Sequence, residues 1–229
     1  MSGVYGNNKF LSNLTPIVTL GIITPLCTSQ NKKFNWSSDV NPYLGAQIDT
    51  KDSVSFIPAL MLPGRVGFIL NNYLSWTIKE KVHLTFMPLG FGLKLIPNIK
   101  DSNTVIFQHN FRTGIALGYF DVFLIGAQYT HGFHNTTSES ERFFKKVFSK
   151  GTTDISYITI SGQFYVKSTE DTKNFLYIEW RGLSSKKAYP SFTNNSIITI
   201  GYRGDLSLTH IFSAGSNKSS AKINPSPIF

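Results

Sequence analysis

The sequence predicts an all-β protein, an antiparallel up-and-down transmembrane β-barrel of about ten strands, with eight as the lower count. Three observations support this prediction. Apolar and polar residues alternate over long segments, the links between these segments alternate in length, and the composition favours strands and turns over helices. The chain has 229 residues, 41% of them apolar and 14% aromatic, which is enough for one domain of moderate size.

Composition and charge exclude several other classes of protein. Only 15% of the residues are charged, which argues against wholesale disorder and against a long charged helix. No run of about 18 apolar residues occurs, so a membrane-spanning helix is excluded, whereas a barrel strand needs only about ten alternating residues. The net charge of +9 favours anionic partners. Cys27 is the single cysteine, so an intramolecular disulfide and a multi-cysteine metal site are excluded.

Alternation with a period of two is the main signal for strands. In residues 66–78 the even positions are almost all apolar, whereas the odd positions carry Gly, Asn, Tyr, Ser and Thr. The same one-sided pattern recurs in residues 105–117, 156–166, 174–182 and 196–212. In residues 82–96 the apolar parity switches near Met87-Pro88. We therefore expect a β-bulge there, because proline cannot donate a hydrogen bond to a central ladder.

The links between strands predict which end of the barrel each loop occupies. The predicted strands are 14–26, 42–49, 53–62, 66–78, 82–96, 104–116, 120–131, 154–167, 174–183 and 196–212. Short turns, such as Thr50-Lys51-Asp52, alternate with longer links, such as 27–41, and Pro63-Gly64-Arg65 is the exception. Short turns at one rim and long loops at the other are typical of outer-membrane barrels.

An even strand count places both chain ends on the short-turn side of such a barrel. The predicted organisation is an N-terminal segment over residues 1–13, the barrel over 14–212 and a flexible tail over 213–229. The tail is rich in Ser, Asn, Lys and Pro, which are residues that favour mobile segments.

The parity opposite the apolar one carries polar and charged residues. We expect these residues to form a polar network inside the barrel, where opposite charges pair and plug a narrow lumen. The expected members of this network are Arg112, Gln163, Glu179, Arg181, Arg203 and Asp205. The alternative is that they face water on an open β-sandwich.

Two sequence features carry a family resemblance. The run Tyr129-Thr130-His131-Gly132-Phe133-His134-Asn135, and a last strand that ends on Phe212 with Tyr202 and Leu208 on the same face, resemble small outer-membrane β-barrel proteins of Bacteroidota. The resemblance covers most of residues 14–212, and the chain extends beyond Phe212, where the usual pattern ends. It implies a barrel in a bacterial outer membrane, in a group that includes pores, adhesins and accessory subunits.

The densest reactive cluster lies at the start of the longest loop. His131, His134 and Ser138 are candidates for a hydrolase site of the kind found in outer-membrane lipid hydrolases, if serine and histidine come within hydrogen-bonding reach. A metal site on the two histidines would need further ligands, for which Glu139 and Glu141 are candidates. The alternative is a polar loop in which the histidines cap a strand end, and we expect no catalytic site, metal or cofactor.

The same loop carries a candidate contact surface of aromatic and basic residues. Its members are Phe143, Phe144, Lys145, Lys146 and Phe148. Such a surface suits the lipid bilayer, an anionic glycolipid or a protein partner, and phenylalanines folded onto the rim of the barrel are the alternative. Nucleic acid is not expected, because the lysines occur in short scattered pairs.

These patterns favour a non-enzymatic barrel of the Gram-negative outer membrane that serves as a structural or accessory subunit of an envelope complex. Long loops and the tail would contact a protein partner. A small pore is the nearest alternative. A second class is a soluble all-β protein, either a ligand-binding barrel with its apolar face inside or a viral coat jelly roll. The outer-membrane lipid hydrolase is the third class.

Overall fold

The computed structural model describes residues 2–5, 15–21, 24–30, 34–47, 60–61, 64, 66–79, 81–96, 106–119, 122–135, 154–168, 172–184 and 196–206. These residues form one antiparallel sheet. Its strands are β1 (Ser2–Tyr5), β2 (Thr15–Gly21), β3 (Thr24–Gln30), β4 (Phe34–Gln47), β5 (Val66–Lys79), β6 (Val82–Ile96), β7 (Ile106–Tyr119), β8 (Phe123–Asn135), β9 (Asp154–Ser168), β10 (Thr172–Leu183) and β11 (Ser196–Leu206). No helix within these ranges is long and apolar enough to cross a membrane.

The pairing of the strands closes into a ring. From β4 to β11 each strand pairs with the next one in the sequence. The ring is completed by β1, which pairs with β11 on one side and with β2 on the other, and by the pairing of β2 with β4. β2 pairs with residues 43–47 of β4 and β3 with residues 35–40, so β2 and β3 share one position. The prediction of an up-and-down β-barrel is confirmed.

The first part of the barrel differs from the prediction. The predicted loop 27–41 forms the end of β3 and most of β4, and the predicted hairpin of strands 42–49 and 53–62 is wrong. Leu60 and Met61 lie in a helical turn, and residues 48–59 lie outside the described part of the chain. The prediction failed because Asn, Ser and Asp residues in β4 resemble turn chemistry, although most of them occupy the lumen parity of a strand.

The observed strand ends remove the exception to the alternation of link lengths. At one end of the barrel the links are short and comprise residues 31–33, 80–81, 120–122 and 169–171. At the other end they are long and comprise residues 6–14, 48–65, 97–105, 136–153 and 184–195. Pro63-Gly64-Arg65 therefore belongs to a long link. We call these two ends of the barrel the turn end and the loop end.

β1 begins and β11 ends at the turn end, as predicted for the two chain ends. Ser2–Tyr5, within the predicted N-terminal segment, forms β1 of the ring. β11 ends at Leu206, and the rest of the predicted last strand and the tail 213–229 lie outside the described residues.

The two faces of the sheet have the polarity of a membrane barrel. Along the strands, large apolar side chains point outward and are exposed, among them Val66, Ile78, Leu117, Ile125, Ile160, Leu176 and Ile200. The opposite parity points inward and is mainly polar. Its buried polar residues include Asn71, Gln108, Arg112, Gln128, Gln163 and Glu179. A soluble ligand-binding barrel needs the reverse arrangement, and a jelly roll needs two packed sheets, so both alternatives are wrong. Lipid is the solvent that suits this outer surface.

The predicted bulge lies where the parity of β6 switches. The pairing of β6 with β7 skips from Met87 to Gly90, so that Pro88 and Leu89 face one residue, Thr113. Two outward side chains bond to carbonyl oxygens at the bulge. The Thr113 hydroxyl donates to the Met87 carbonyl at 3.0 Å, and the Asn72 amide donates to the Leu89 carbonyl at 3.1 Å. These bonds are important because lipid offers no partner for a backbone carbonyl.

We predict that Thr113→Val destabilises the barrel, because valine has nearly the same shape but leaves the Met87 carbonyl without this hydrogen bond. The expected loss is about 1–3 kcal/mol in the free energy of unfolding. It can be measured by urea unfolding in detergent micelles. Thr113→Ser keeps the hydroxyl and is the matched control. Equal stability of the valine and serine variants would show that the hydrogen bond has no structural role.

Candidate functional site: the polar lumen

Polar side chains fill the interior of the barrel. The exposed fraction is 1% for Gln108, Gln163 and Thr130, 4% for Glu179 and 8% for Arg112. Water therefore reaches almost none of the surface of these side chains. A closed ring of about this size is just wide enough for side chains to fill.

One row of inward residues connects neighbouring strands across the wall. Asp39 pairs in register with Asn71, Asn71 with Gly90, and Gly90 with Arg112. The Arg112 guanidinium donates to Asn71 Oδ1 at 3.2 Å and to the Phe91 carbonyl at 3.3 Å. Arg112 thus bridges β7 to β5 across β6. This contact anchors a buried cation with hydrogen bonds, as a low-dielectric interior requires.

Gly90 makes this bridge possible. A Cβ atom at this position would lie 2.9 Å from Asn71 Oδ1 and 3.0 Å from Met87 Sδ. A larger residue would therefore occupy the space through which Arg112 reaches Asn71. Gly90 lies inside the predicted strand 82–96, and its lack of a side chain allows the neighbouring lumen side chains to pack closely.

A second charged pair lies further along the wall. Glu179 and Arg181 are two residues apart on β10, so both point into the lumen, and they form an ion pair. The Glu179 side chain is 5% exposed and that of Arg181 is 14% exposed. The register places Glu179 between Ser161 of β9 and Thr199 of β11.

Arg203 lies towards the turn end. Its guanidinium carbon is 5.3 Å from the centre of the Phe175 ring, a cation–π geometry. The Phe175 ring in turn meets the edge of Tyr165, with 5.6 Å between ring centres. Asp205 belongs to β11, but its side chain lies outside the described part of the structure, so an ion pair with Arg203 stays a prediction.

A short apolar segment lies buried at the loop end of the barrel. Leu60 is 0% exposed and Met61 2% exposed, and the Lys94 ammonium donates a hydrogen bond to the Leu60 carbonyl. We call Leu60 and Met61 the loop-end stopper. Gln108 and His134, which is also buried, form a hydrogen bond of 2.8 Å between their Nε2 atoms. Gln108 is the register partner of Lys94, so this bond lies close to the stopper.

The structure separates the two histidines that were candidates for a hydrolase site. His131 and His134 lie on opposite faces of β8, because their positions differ by an odd number of residues: His131 points outward and His134 into the lumen. They cannot share a substrate or a metal ion. Within the described residues there is no group of three or more His, Cys, Asp and Glu that could hold a metal. Ser138 lies outside the described residues.

The predicted contact surface of the longest loop also lies outside the described residues. Its members are Phe143, Phe144, Lys145, Lys146 and Phe148. Their role therefore stays a prediction.

Several buried residues of the lumen were not predicted from the sequence. They are Asp39, Tyr43, Lys94 and the two residues of the stopper. Asp39 and Tyr43 have the parity opposite to Trp36, Val40 and Leu44, so alternation over 34–44 was an available signal. Lys94 lies at an even position of β6, like Gly90 and Gly92. The even positions face inward only after the bulge, where the register with β7 shifts, so the direction of Lys94 depends on the observed pairing.

The fold and the filled polar interior define the class of this protein, a transmembrane β-barrel. No protein-family model matches the chain, and no curated protein matches it. Two solved structures show a distant likeness. One is the NanC porin, at 9% identity and a TM-score of 0.41, covering 83% of this chain and 79% of that one. The other is the outer membrane channel DcaP of Acinetobacter baumannii, at 8% identity and a TM-score of 0.32, covering 89% of this chain and 54% of that one.

We predict that Glu179→Gln destabilises the barrel by about 3 kcal/mol, because it leaves the Arg181 cation in the lumen without its carboxylate. Urea unfolding in micelles measures the loss. The double variant Glu179→Gln with Arg181→Met removes both charges and is expected to recover much of the stability. If the single and double variants are equally stable, the ion pair does not contribute to the stability of the lumen.

Proposed function

We propose that this chain is a sealed β-barrel of a bacterial outer membrane that acts as a structural or accessory subunit of an envelope complex. The observation that supports this proposal is the filled lumen, where Gln108, Thr130 and Gln163 are each 1% exposed and the two stopper residues are buried as well. A sealed interior leaves the outer surface, the long loops and the chain ends as the parts able to recognise another molecule.

The outer-membrane location is supported by the geometry of the ring. Strands β4 to β11 have 11 to 15 residues, longer than the usual five or six of soluble sheets and enough to cross a bilayer when tilted. Short links at one end and long links at the other are the pattern of bacterial outer-membrane barrels. The Bacteroidota type suggested by residues 129–135 stays a prediction.

The proposed partners are the bilayer, an anionic glycolipid and a protein of the envelope. The exposed apolar outer surface suits lipid tails, and the net charge of +9 suits anionic headgroups. The long loops at the loop end and the tail 213–229 are the proposed contacts for a protein partner.

A small pore is the second candidate function, and the charge of the lumen favours it. Among the inward side chains that the structure describes, Lys94, Arg112, Arg181 and Arg203 are basic, whereas Asp39 and Glu179 are acidic. Such an excess of positive charge would select anions if the lumen opened. The sealed barrel and the small pore therefore differ in whether the packing of side chains in the lumen leaves an open path for ions.

We predict that the wild-type barrel is silent in planar lipid bilayers and that Arg112→Ala gives measurable anion-selective steps. The alanine variant removes the side chain that bridges β7 to β5 through the lumen. Lys94→Ala, which removes the hydrogen bond to the stopper, is expected to act in the same direction. Lys81→Ala, at an exposed turn, is the matched control and is expected to stay silent. Regular conductance steps from the wild-type barrel would favour the pore over the sealed barrel.

We predict that the barrel migrates in native electrophoresis of mildly solubilised membranes as part of an assembly larger than one chain in a micelle. A variant that lacks residues 213–229 is expected to leave this assembly if the tail makes the contact. The control is the heat-dependent mobility of both chains in denaturing gels, which reports an intact barrel. Migration of the full-length barrel as a single chain would contradict the accessory role.

A further inference from the structure

The outer surface of the barrel carries a serine and a histidine in direct contact. His131 Nδ1 lies 2.5 Å from Ser156 Oγ, and the two residues are register partners on β8 and β9. Both have the outward parity of their strands and are partly exposed. A hydroxyl within hydrogen-bonding reach of an imidazole nitrogen is the geometry of an activated nucleophile and its general base.

The pair lies near the loop end of the lipid-facing surface. Ser156 is two residues from the start of β9, and His131 is four residues from the end of β8. Phe133 meets the edge of the His131 ring, with 4.4 Å between centres and 84° between planes. Phe111, the register partner of His131, packs against Phe133 at 6.0 Å. Exposed aromatic residues near a strand end mark the membrane–water interface, which is also the level of lipid ester bonds.

Ser184 holds the backbone of Ser156 in place. The Ser156 carbonyl accepts hydrogen bonds from the Ser184 backbone N–H at 2.9 Å and from the Ser184 hydroxyl at 3.1 Å, which fixes the backbone under the nucleophile.

We propose that Ser156 and His131 form a nucleophile and general base that cleave acyl esters of membrane lipids at the outer surface of the barrel. Ser156 Oγ would attack the ester carbonyl carbon while its proton passes to His131 Nδ1. The C–O bond to the alcohol then breaks, His131 returns the proton to the leaving oxygen, and the acyl group stays on Ser156. Water, deprotonated by His131, releases the fatty acid and restores the serine.

The surface below the pair suits a lipid acyl chain. Ile158 and Ile160 follow Ser156 on the same face of β9, and Phe164 continues the row towards the turn end. All three side chains are exposed. An acyl chain aligned with the bilayer would lie along this row with its ester group level with Ser156.

The proposed activity goes beyond the structural role and does not depend on the lumen. It retains His131 from the candidates of sequence analysis but assigns the nucleophile to Ser156, which the fold brings to His131 from β9. Ion conductance, or the lack of a protein partner, would contradict the proposed structural role but not the proposed hydrolysis. Absence of hydrolysis would contradict only the proposed hydrolysis.

The test uses the full-length wild-type barrel in mixed micelles of detergent and a phospholipid with one fluorescent acyl chain. Release of fluorescent fatty acid is expected, with a loss of about 100-fold or more in Ser156→Ala and His131→Ala. Ser196→Ala, an exposed outward serine at the same end of the barrel, is the matched control and is expected to retain full activity. Heat-dependent mobility in denaturing gels verifies that each variant forms a barrel.

A fluorophosphonate probe provides a measurement that does not rely on a variant. Wild-type protein is expected to carry the label on Ser156, located by mass spectrometry of peptides. Absence of fatty acid release, label on another serine, or full activity of Ser156→Ala would each overturn the proposal.

Discussion

The structure depends on one constraint, that a backbone in lipid must satisfy its own hydrogen bonds. An open sheet would expose a row of N–H and carbonyl groups at each edge, at a cost of several kcal/mol per group in hydrocarbon. β1 and β2 remove this cost by joining β11 to β4. The same constraint explains the bulge of β6, where the hydroxyl of Thr113 and the amide of Asn72 bond to carbonyl oxygens on the lipid side.

Closure also determines the chemistry of the interior. A ring of ten positions has room for side chains and little else, so charged residues must find partners within the wall. Arg112 bonds to Asn71, Glu179 pairs with Arg181, and Arg203 rests on a phenylalanine ring. The proposed reactive pair lies outside this interior, on the outer surface, where the serine and the histidine are within hydrogen-bonding reach of each other.

Alternation of polarity predicted most of the fold, because a strand between lipid and a polar lumen must repeat every two residues. It identified Arg112, Gln163 and Glu179 as inward residues and located the bulge at Met87-Pro88. It failed for β4, where polar inward residues resemble a loop. Alternation also could not predict which residues of neighbouring strands are in contact. These contacts depend on the register between two strands, and the pattern along one strand does not determine that register.

The four-residue strand β1 has a consequence for assembly of the barrel. Ser2 pairs with Gly201, so the strand that completes the wall joins the two extremes of the described chain. A contact between such distant residues is slow to form, because the intervening chain must first be ordered. β1 can therefore pair with β11 only after β11 has been synthesised. Until then the sheet has two open edges with unpaired backbone groups, which need protection by a chaperone or an insertion machine.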